Sequence, residues 1–169
     1  MYKKITAALL YSTVLGSSLN AEEKSFLGLE VGYSEVQGER IDSFVNEDKD
    51  VSYGIRIGAQ KNEWRSTLLY NYYDNSDSDQ NVEQILGMAD YFFLDNESTF
   101  KPYIGANIGY ANYESSYVED SGFIYGGQAG FVINTMGIVD LDFSYRYSLS
   151  NTDELDHIGS FIFAMNYNF

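Results

Sequence analysis

Asp140 and Asp142 stand two residues apart, with Arg146 four further on. On a strand, even spacing sends all three side chains to one face. Paired carboxylates are a general acid/base arrangement, but a guanidinium so near makes a structural ion-pair network the stronger expectation. His157, the only histidine, precedes Ser160 by three residues. Histidine and serine together could serve nucleophilic catalysis, yet no second histidine supports a proton relay, and a single histidine at a strand end is ordinarily polar and wet. Asp74-Asn-Ser-Asp-Ser-Asp79 alternates oxygen ligands, but it lacks the glycine and distal glutamate of a calcium loop. Gly126-Gly127 falls within a strand pattern, where glycine allows curvature and does not form a phosphate loop.

The composition narrows the class that must position these groups. The 169 residues carry 16 Tyr, 11 Phe, 15 Gly, one Pro, no Cys and a net charge of -15. Mean hydropathy is -0.28 despite 17% aromatic residues, so apolar side chains are interleaved with polar ones. Past the first segment, no stretch approaches the ~20 apolar residues of a transmembrane helix. A membrane barrel remains open, because its strands hide an apolar face inside an alternating pattern. Without cysteine there is no disulfide framework and no thiolate metal site. The acidic balance repels nucleic acid, and no cofactor motif is present, so none is expected.

The first 21 residues read as an address. Lys3 and Lys4 supply a positive start, Ile5 to Leu15 a short apolar stretch, and Gly16 to Ala21 a run ending in small residues. This is the layout of a secretory signal peptide, with cleavage expected after Ala21 and residues 22–169 forming one domain.

Eight stretches of strict alternation follow. Leu27, Leu29, Val31 and Tyr33 share a face against Gly28, Glu30, Gly32 and Ser34. Val51, Tyr53, Ile55, Ile57 and Ala59 oppose Ser52, Gly54, Arg56, Gly58 and Gln60, and Trp64, Leu68, Tyr70 and Tyr72 oppose Arg65, Thr67 and Asn71. In Val82–Phe93 the phase with Ile85, Gly87, Ala89, Tyr91 and Phe93 outward is preferred, because the other phase puts Asp90 in lipid at a cost of ~2 kcal/mol or more. Ile104, Ala106, Ile108 and Tyr110 then face away from Lys101, Gly105 and Asn107. Phe123, Tyr125, Ala129, Phe131 and Ile133 face away from Gly126, Gln128 and Gly130. Val139, Leu141, Phe143, Tyr145, Tyr147 and Leu149 oppose Asp140, Asp142, Ser144, Arg146 and Ser148. The last strand carries Phe161, Phe163, Met165, Tyr167 and Phe169, with only Ile162 breaking the rule.

Connections alternate in length. Residues 61–63, 94–99 and 134–137 are tight turns, while 37–50, 74–81, 114–121 and 150–156 are longer. Short periplasmic turns and longer outer loops are the pattern of an outer-membrane barrel. Trp64, Tyr167 and Phe169 fall near the turn ends, and Tyr33, Tyr53, Tyr72, Tyr110 and Tyr147 near the loop ends, as two interfacial girdles would. A soluble lipocalin-like barrel would reverse the faces, with large apolar residues inside. The expected fold is an all-β, eight-stranded, antiparallel, up-and-down transmembrane barrel.

Lys101-Pro-Tyr-Ile-Gly-Ala-Asn-Ile-Gly-Tyr110, Phe123-Ile-Tyr-Gly-Gly-Gln-Ala-Gly130, Asp142-Phe-Ser-Tyr-Arg-Tyr147 and the terminal Phe169 carry a resemblance to small OmpA/OmpX-like outer-membrane barrels. It implies a bacterial outer-membrane location and a structural or surface role in adhesion or envelope integrity. Its implied partners are outer-membrane lipid and lipopolysaccharide, the barrel-assembly machinery, and a host or extracellular ligand at the outer loops. Some barrels of this size are lipid A-modifying enzymes, but His157-Ile-Gly-Ser160 does not match the His-x-Ser arrangement of the deacylases among them.

Eight inward charges follow from the alternation: Glu30, Asp90, Asp140 and Asp142 against Arg56, Arg65, Lys101 and Arg146. An eight-stranded lumen has room only for side chains, so these charges are expected to pair, Glu30 with Arg56 and Asp90 with Arg65 or Lys101. The outer loops hold fourteen acids against Arg40 and Lys49, which suits either a solvated surface or divalent-cation binding. Two functions stay open, a closed structural barrel and a narrow cation-preferring pore. Phe161, Phe163, Met165, Tyr167 and Phe169 are expected to form the assembly signal. Deleting Phe169 should therefore lower the outer-membrane level of the protein without lowering its secretion, as measured by fractionation and immunoblotting.

Overall fold

The computed structural model describes residues 24–37, 47–75, 80–94, 98–115, 119–135, 137–151 and 156–169. They form eight strands: β1 (Lys24–Gln37), β2 (Glu47–Lys61), β3 (Trp64–Asn75), β4 (Gln80–Phe92), β5 (Phe100–Ser115), β6 (Glu119–Thr135), β7 (Val139–Ser150) and β8 (His157–Asn168). Each pairs antiparallel with its sequence neighbours, and β8 pairs with β1 to close the barrel. Closure leaves no open sheet edge, which is what lets a sheet cross a bilayer with its backbone groups satisfied.

Alternation sets the register, since a one-residue slip would turn every inward charge to the outside. The phase preferred for β4 is the observed one: Asp90 is buried, and Ile85 and Tyr91 are exposed. Ile162, which broke the pattern in β8, points inward and is buried. Tyr33, Tyr53, Trp64, Tyr110 and Tyr147 are exposed on the outer wall, and Trp64 packs edge-on against Tyr91 with ring centres 5.2 Å apart.

Two features differ from the sequence expectation. Strands run 12 to 17 residues, as in β7 and β6, and several reach into the segments 37–50, 74–81 and 114–121 expected as connections. The excess lies at the long-connection ends, where Glu114 pairs with Glu119 and Gln37 with Glu47. Polar residues there continue the ladder, and their polarity had marked them as loop. Phe93, expected in β4, instead lies just past it, its N–H donating to the Pro102 carbonyl at 3.1 Å.

The inner face is also less polar than expected. Leu69, Tyr73, Val82, Leu86, Met88, Ala111, Ile124 and Ile158 form one buried apolar cluster, reaching from mid-strand to the long-connection end at Tyr73, Val82, Ala111, Ile124 and Ile158. Phe92, Tyr103 and Val132 form a second, toward the tight-turn end. The physical reason is volume: glycine, serine and paired charges alone would leave voids in the lumen. The address expected at 1–21, the acidic residues Glu39, Asp42, Asp77, Asp79, Asp153 and Glu154, and most of the calcium-like segment 74–79 lie outside the described residues.

Close strand approach sets a steric limit at Gly126, where an added Cβ would collide with the Tyr147 carbonyl oxygen. Backbone cannot step aside as a flexible side chain can. Gly126→Ala should destabilise the refolded barrel by about 1–3 kcal/mol, read from the urea midpoint at unchanged m-value.

Candidate functional site

The charged side chains converge inside the barrel on a closed ring. Arg146 Nη1 lies 3.1 Å from Glu30 Oε1, and Arg146 Nη2 donates to Glu30 Oε2 at 3.2 Å. Glu30 Oε2 is 3.6 Å from Arg56 Nη1, and Arg56 Nη2 donates to Asp142 Oδ2 at 3.0 Å. The same Asp142 oxygen accepts from Arg65 Nη1 at 2.8 Å, and Arg65 Nε donates to Asp90 Oδ2 at 2.8 Å. Gln128 closes the circuit, donating to Asp90 Oδ1 and accepting from Arg146 Nε at 3.2 Å. Every member is buried.

Register explains how strands deliver these groups. Arg65 lies directly opposite Asp90, and Gln128 opposite Arg146. Glu30 and Arg56 meet from the paired strands β1 and β2, and the remaining contacts cross the lumen, from β7 to β1, β2 and β3 and from β6 to β4. Glycine stands on the neighbouring strand opposite three of the charges: Gly54 opposite Glu30, Gly28 opposite Arg56, and Gly105 opposite Asp90. A Cβ at Gly54 would come within 2.7 Å of Glu30 Cγ, and one at Gly28 within 2.9 Å of Arg56 Cγ. The glycines make the space over which the long side chains lie.

Neutral neighbours complete the ring. Tyr103 Oη donates to Asp142 Oδ1 at 2.8 Å, and Asn71 Nδ2 to Glu30 Oε1 at 3.3 Å. The Arg65 guanidinium lies against both Phe92 and Tyr103, 5.1 and 4.6 Å from their ring centres, and that of Arg56 is 5.8 Å from Phe26. Such faces favour a cation once water is excluded. Asp142 is the hub, since its two oxygens hold two guanidiniums and a phenol.

Of the eight inward charges read from sequence, Glu30, Arg56, Arg65, Asp90, Asp142 and Arg146 meet in the ring. Lys101 and Asp140 are buried but stand outside it, nearer the tight-turn end. The Lys101 ammonium is 5.3 Å from the centre of the Phe92 ring, and Asp140 Oδ2 accepts from Asn168 at 3.0 Å. Sequence reasoning missed Gln128, Tyr103 and Asn71 as members. Each shares the inward phase of its strand, which was the available signal; neutral polar residues do not announce a partner. His157 Nδ1 lies 3.1 Å from Asp156 Oδ2 at the rim, while Ser160 is buried against Ser34 at 2.8 Å. Alternation puts His157 and Ser160 on opposite faces, so they form no catalytic pair. Among the described residues no group of three or more His, Cys, Asp and Glu side chains is arranged to hold a metal ion.

A closed eight-stranded barrel with an apolar outer wall and a charged, filled lumen has the fold of the small OmpA/OmpX-like outer-membrane barrels. The chain is similar to the Neisserial surface protein A, with TM-score 0.71 and 22% identity over 86% of this chain and 97% of that one. It is similar also to Ail, the attachment invasion locus protein of Yersinia pestis, solved with the heparin analogue sucrose octasulfate (TM-score 0.53, 16% identity, 88% and 100% covered). The outer membrane enzyme PagL is a third likeness (TM-score 0.52, 15% identity, 84% and 98% covered). No protein-family model and no curated relative matches the sequence.

Removing the hub charge leaves two buried guanidiniums short of a partner. Asp142→Asn should cost about 3–5 kcal/mol, the usual penalty for breaking a buried pair. Asp140→Asn, outside the ring, should cost clearly less in the same urea titration. Equal losses would show that the ring is not what holds the lumen.

Proposed function

We propose that this chain works as a sealed barrel of the bacterial outer membrane, serving envelope integrity and contacts at the cell surface. In this reading residues 1–21 are a cleaved export signal. The strands Lys24–Gln37 to His157–Asn168 insert through the barrel-assembly machinery, which reads Phe161, Phe163, Met165, Tyr167 and Phe169. Lipid and lipopolysaccharide surround the apolar wall, and the outer loops meet a host or extracellular ligand.

The single observation that carries the closed lumen is the ring described above, with an apolar cluster toward each end of the strands. Unpaired ions crossing it would have to displace groups that already satisfy one another, at several kcal/mol each. Surface contact is supported by the names of two structural neighbours, a surface protein and an attachment protein. A non-catalytic role is supported by the opposed faces of His157 and Ser160; the fold alone does not decide it, since PagL is an enzyme.

The acidic outer segments favour a second reading, a narrow pore that draws in cations. Conductance of the protein refolded into planar bilayers separates the two. Wild type should hold the baseline, and Arg56→Ala should open discrete events by removing one guanidinium from the plug. A steady cation-selective current from wild type, unchanged in Arg56→Ala, would establish the pore instead.

A further inference from the structure

Seven of the eight strands send a side chain into the lumen ring. Glu30 comes from β1, Arg56 from β2, Arg65 from β3, Asp90 from β4, Tyr103 from β5, Gln128 from β6, and Asp142 and Arg146 from β7. Among the described residues β8, the strand that closes the barrel, contributes none.

The inner face of β8 is tied only lightly. Ser160 Oγ shares a hydrogen bond with Ser34 at 2.8 Å, and Asn168 donates to Asp140 at 3.0 Å. Asn166 Oδ1 is buried without a partner among the described residues, and Ile162 and Ala164 are apolar. The backbone ladders to β7 and β1 and ring contacts on the outer wall supply the rest.

The ring nevertheless passes over this strand. β8 lies between β7 and β1, so a bond from β7 to β1 spans its inner face. Arg146, opposite Ser160, reaches Glu30, opposite Ala164, with two N–H donors at 3.1 and 3.2 Å. Asp142, opposite Ala164 on the other flank, accepts from Arg56 at 3.0 Å across β8 and β1 together. Strands two places apart stand about 10 Å from one another, a gap that long side chains can close. Small residues lie beneath: Ala164, fully buried with Glu30 and Asp142 on its two flanks, and Gly28 opposite Arg56. β5 is spanned in the same way by Gln128 and Asp90, but Tyr103 ties it to Asp142.

We propose that the Arg146–Glu30 and Arg56–Asp142 pairs are a clasp over the closing strand. β7 grips β1 and β2 across β8, and β8 stays seated because its two neighbours are held at the spacing it fills. Loosening the clasp releases β8 as a unit and opens a seam from the lumen to the outside of the wall, while β2 to β6 stay paired. The clasp rests on the closed fold and not on whether the lumen conducts.

The test is hydrogen exchange, read by mass spectrometry on the full barrel refolded in detergent micelles. Arg146→Met removes one strap and should speed exchange of the amides in 157–168 by about tenfold or more, with 64–75 and 100–115 near wild type. Ala164→Leu keeps every charge but puts bulk beneath both straps. It should loosen the same strand, and it keeps the clasp open to refutation if Arg146→Met does not fold. Asp90→Asn breaks the ring on the far side, where Arg65 and Gln128 meet it, and should leave 157–168 as protected as in wild type. Even acceleration across all eight strands, release of β8 by Asp90→Asn as large as by Arg146→Met, or wild-type exchange in Ala164→Leu would each overturn the clasp.

Discussion

Eight strands enclose a lumen wide enough for side chains and for little else. Whatever faces inward must therefore draw its protein partners from whatever else faces inward. Asp142 shows how tight this constraint is. Its carboxylate takes charge from Arg56 and Arg65 and a hydrogen bond from Tyr103, so three strands other than its own are fixed by one residue. The apolar clusters then fill the space toward either end, and the glycines opposite Glu30, Arg56 and Asp90 follow from the length of those side chains.

The two faces of the sheet solve opposite problems. Inside, polar groups are buried and held by one another, which makes each contact strong and each vacancy costly. Outside, apolar residues are exposed to lipid and contribute mainly through placement, with Trp64 and Tyr91 at one end and Tyr33, Tyr53 and Tyr110 toward the other. Phe131, Phe143 and Phe163 on β6 to β8 depart from this division by carrying a row of rings through the middle of the wall.

Most of the fold was legible in the sequence, because a period of two is hard to imitate and eight repeats of it leave few architectures. The same alternation placed all eight charges inward, and even the ambiguous β4 was decided by the cost of Asp90 in lipid. Strand length was not legible. Polar residues such as Asn112 and Ser121 pair across β5 and β6 above the apolar belt, and nothing in their chemistry separates a wet strand from a loop. Ring membership was half legible: proximity along strands brings Arg65 to Asp90, but Arg146 reaches Glu30 across the lumen, and sequence gives no distance across a tube. The inward leucines and phenylalanines were hidden for a related reason, since polar neighbours at the same phase masked them.

Arg146 and Glu30 are separated by 116 positions in the chain, and Arg65 and Asp142 by 77. No hairpin can make these contacts alone. Until β8 reaches β1, several guanidiniums and carboxylates lack their partners, and a half-built sheet pushed into lipid would carry them unneutralised. Curling of the sheet and entry into hydrocarbon are thus bound into one event. The charge map ties neutralisation of the lumen to contacts between strands far apart in the chain.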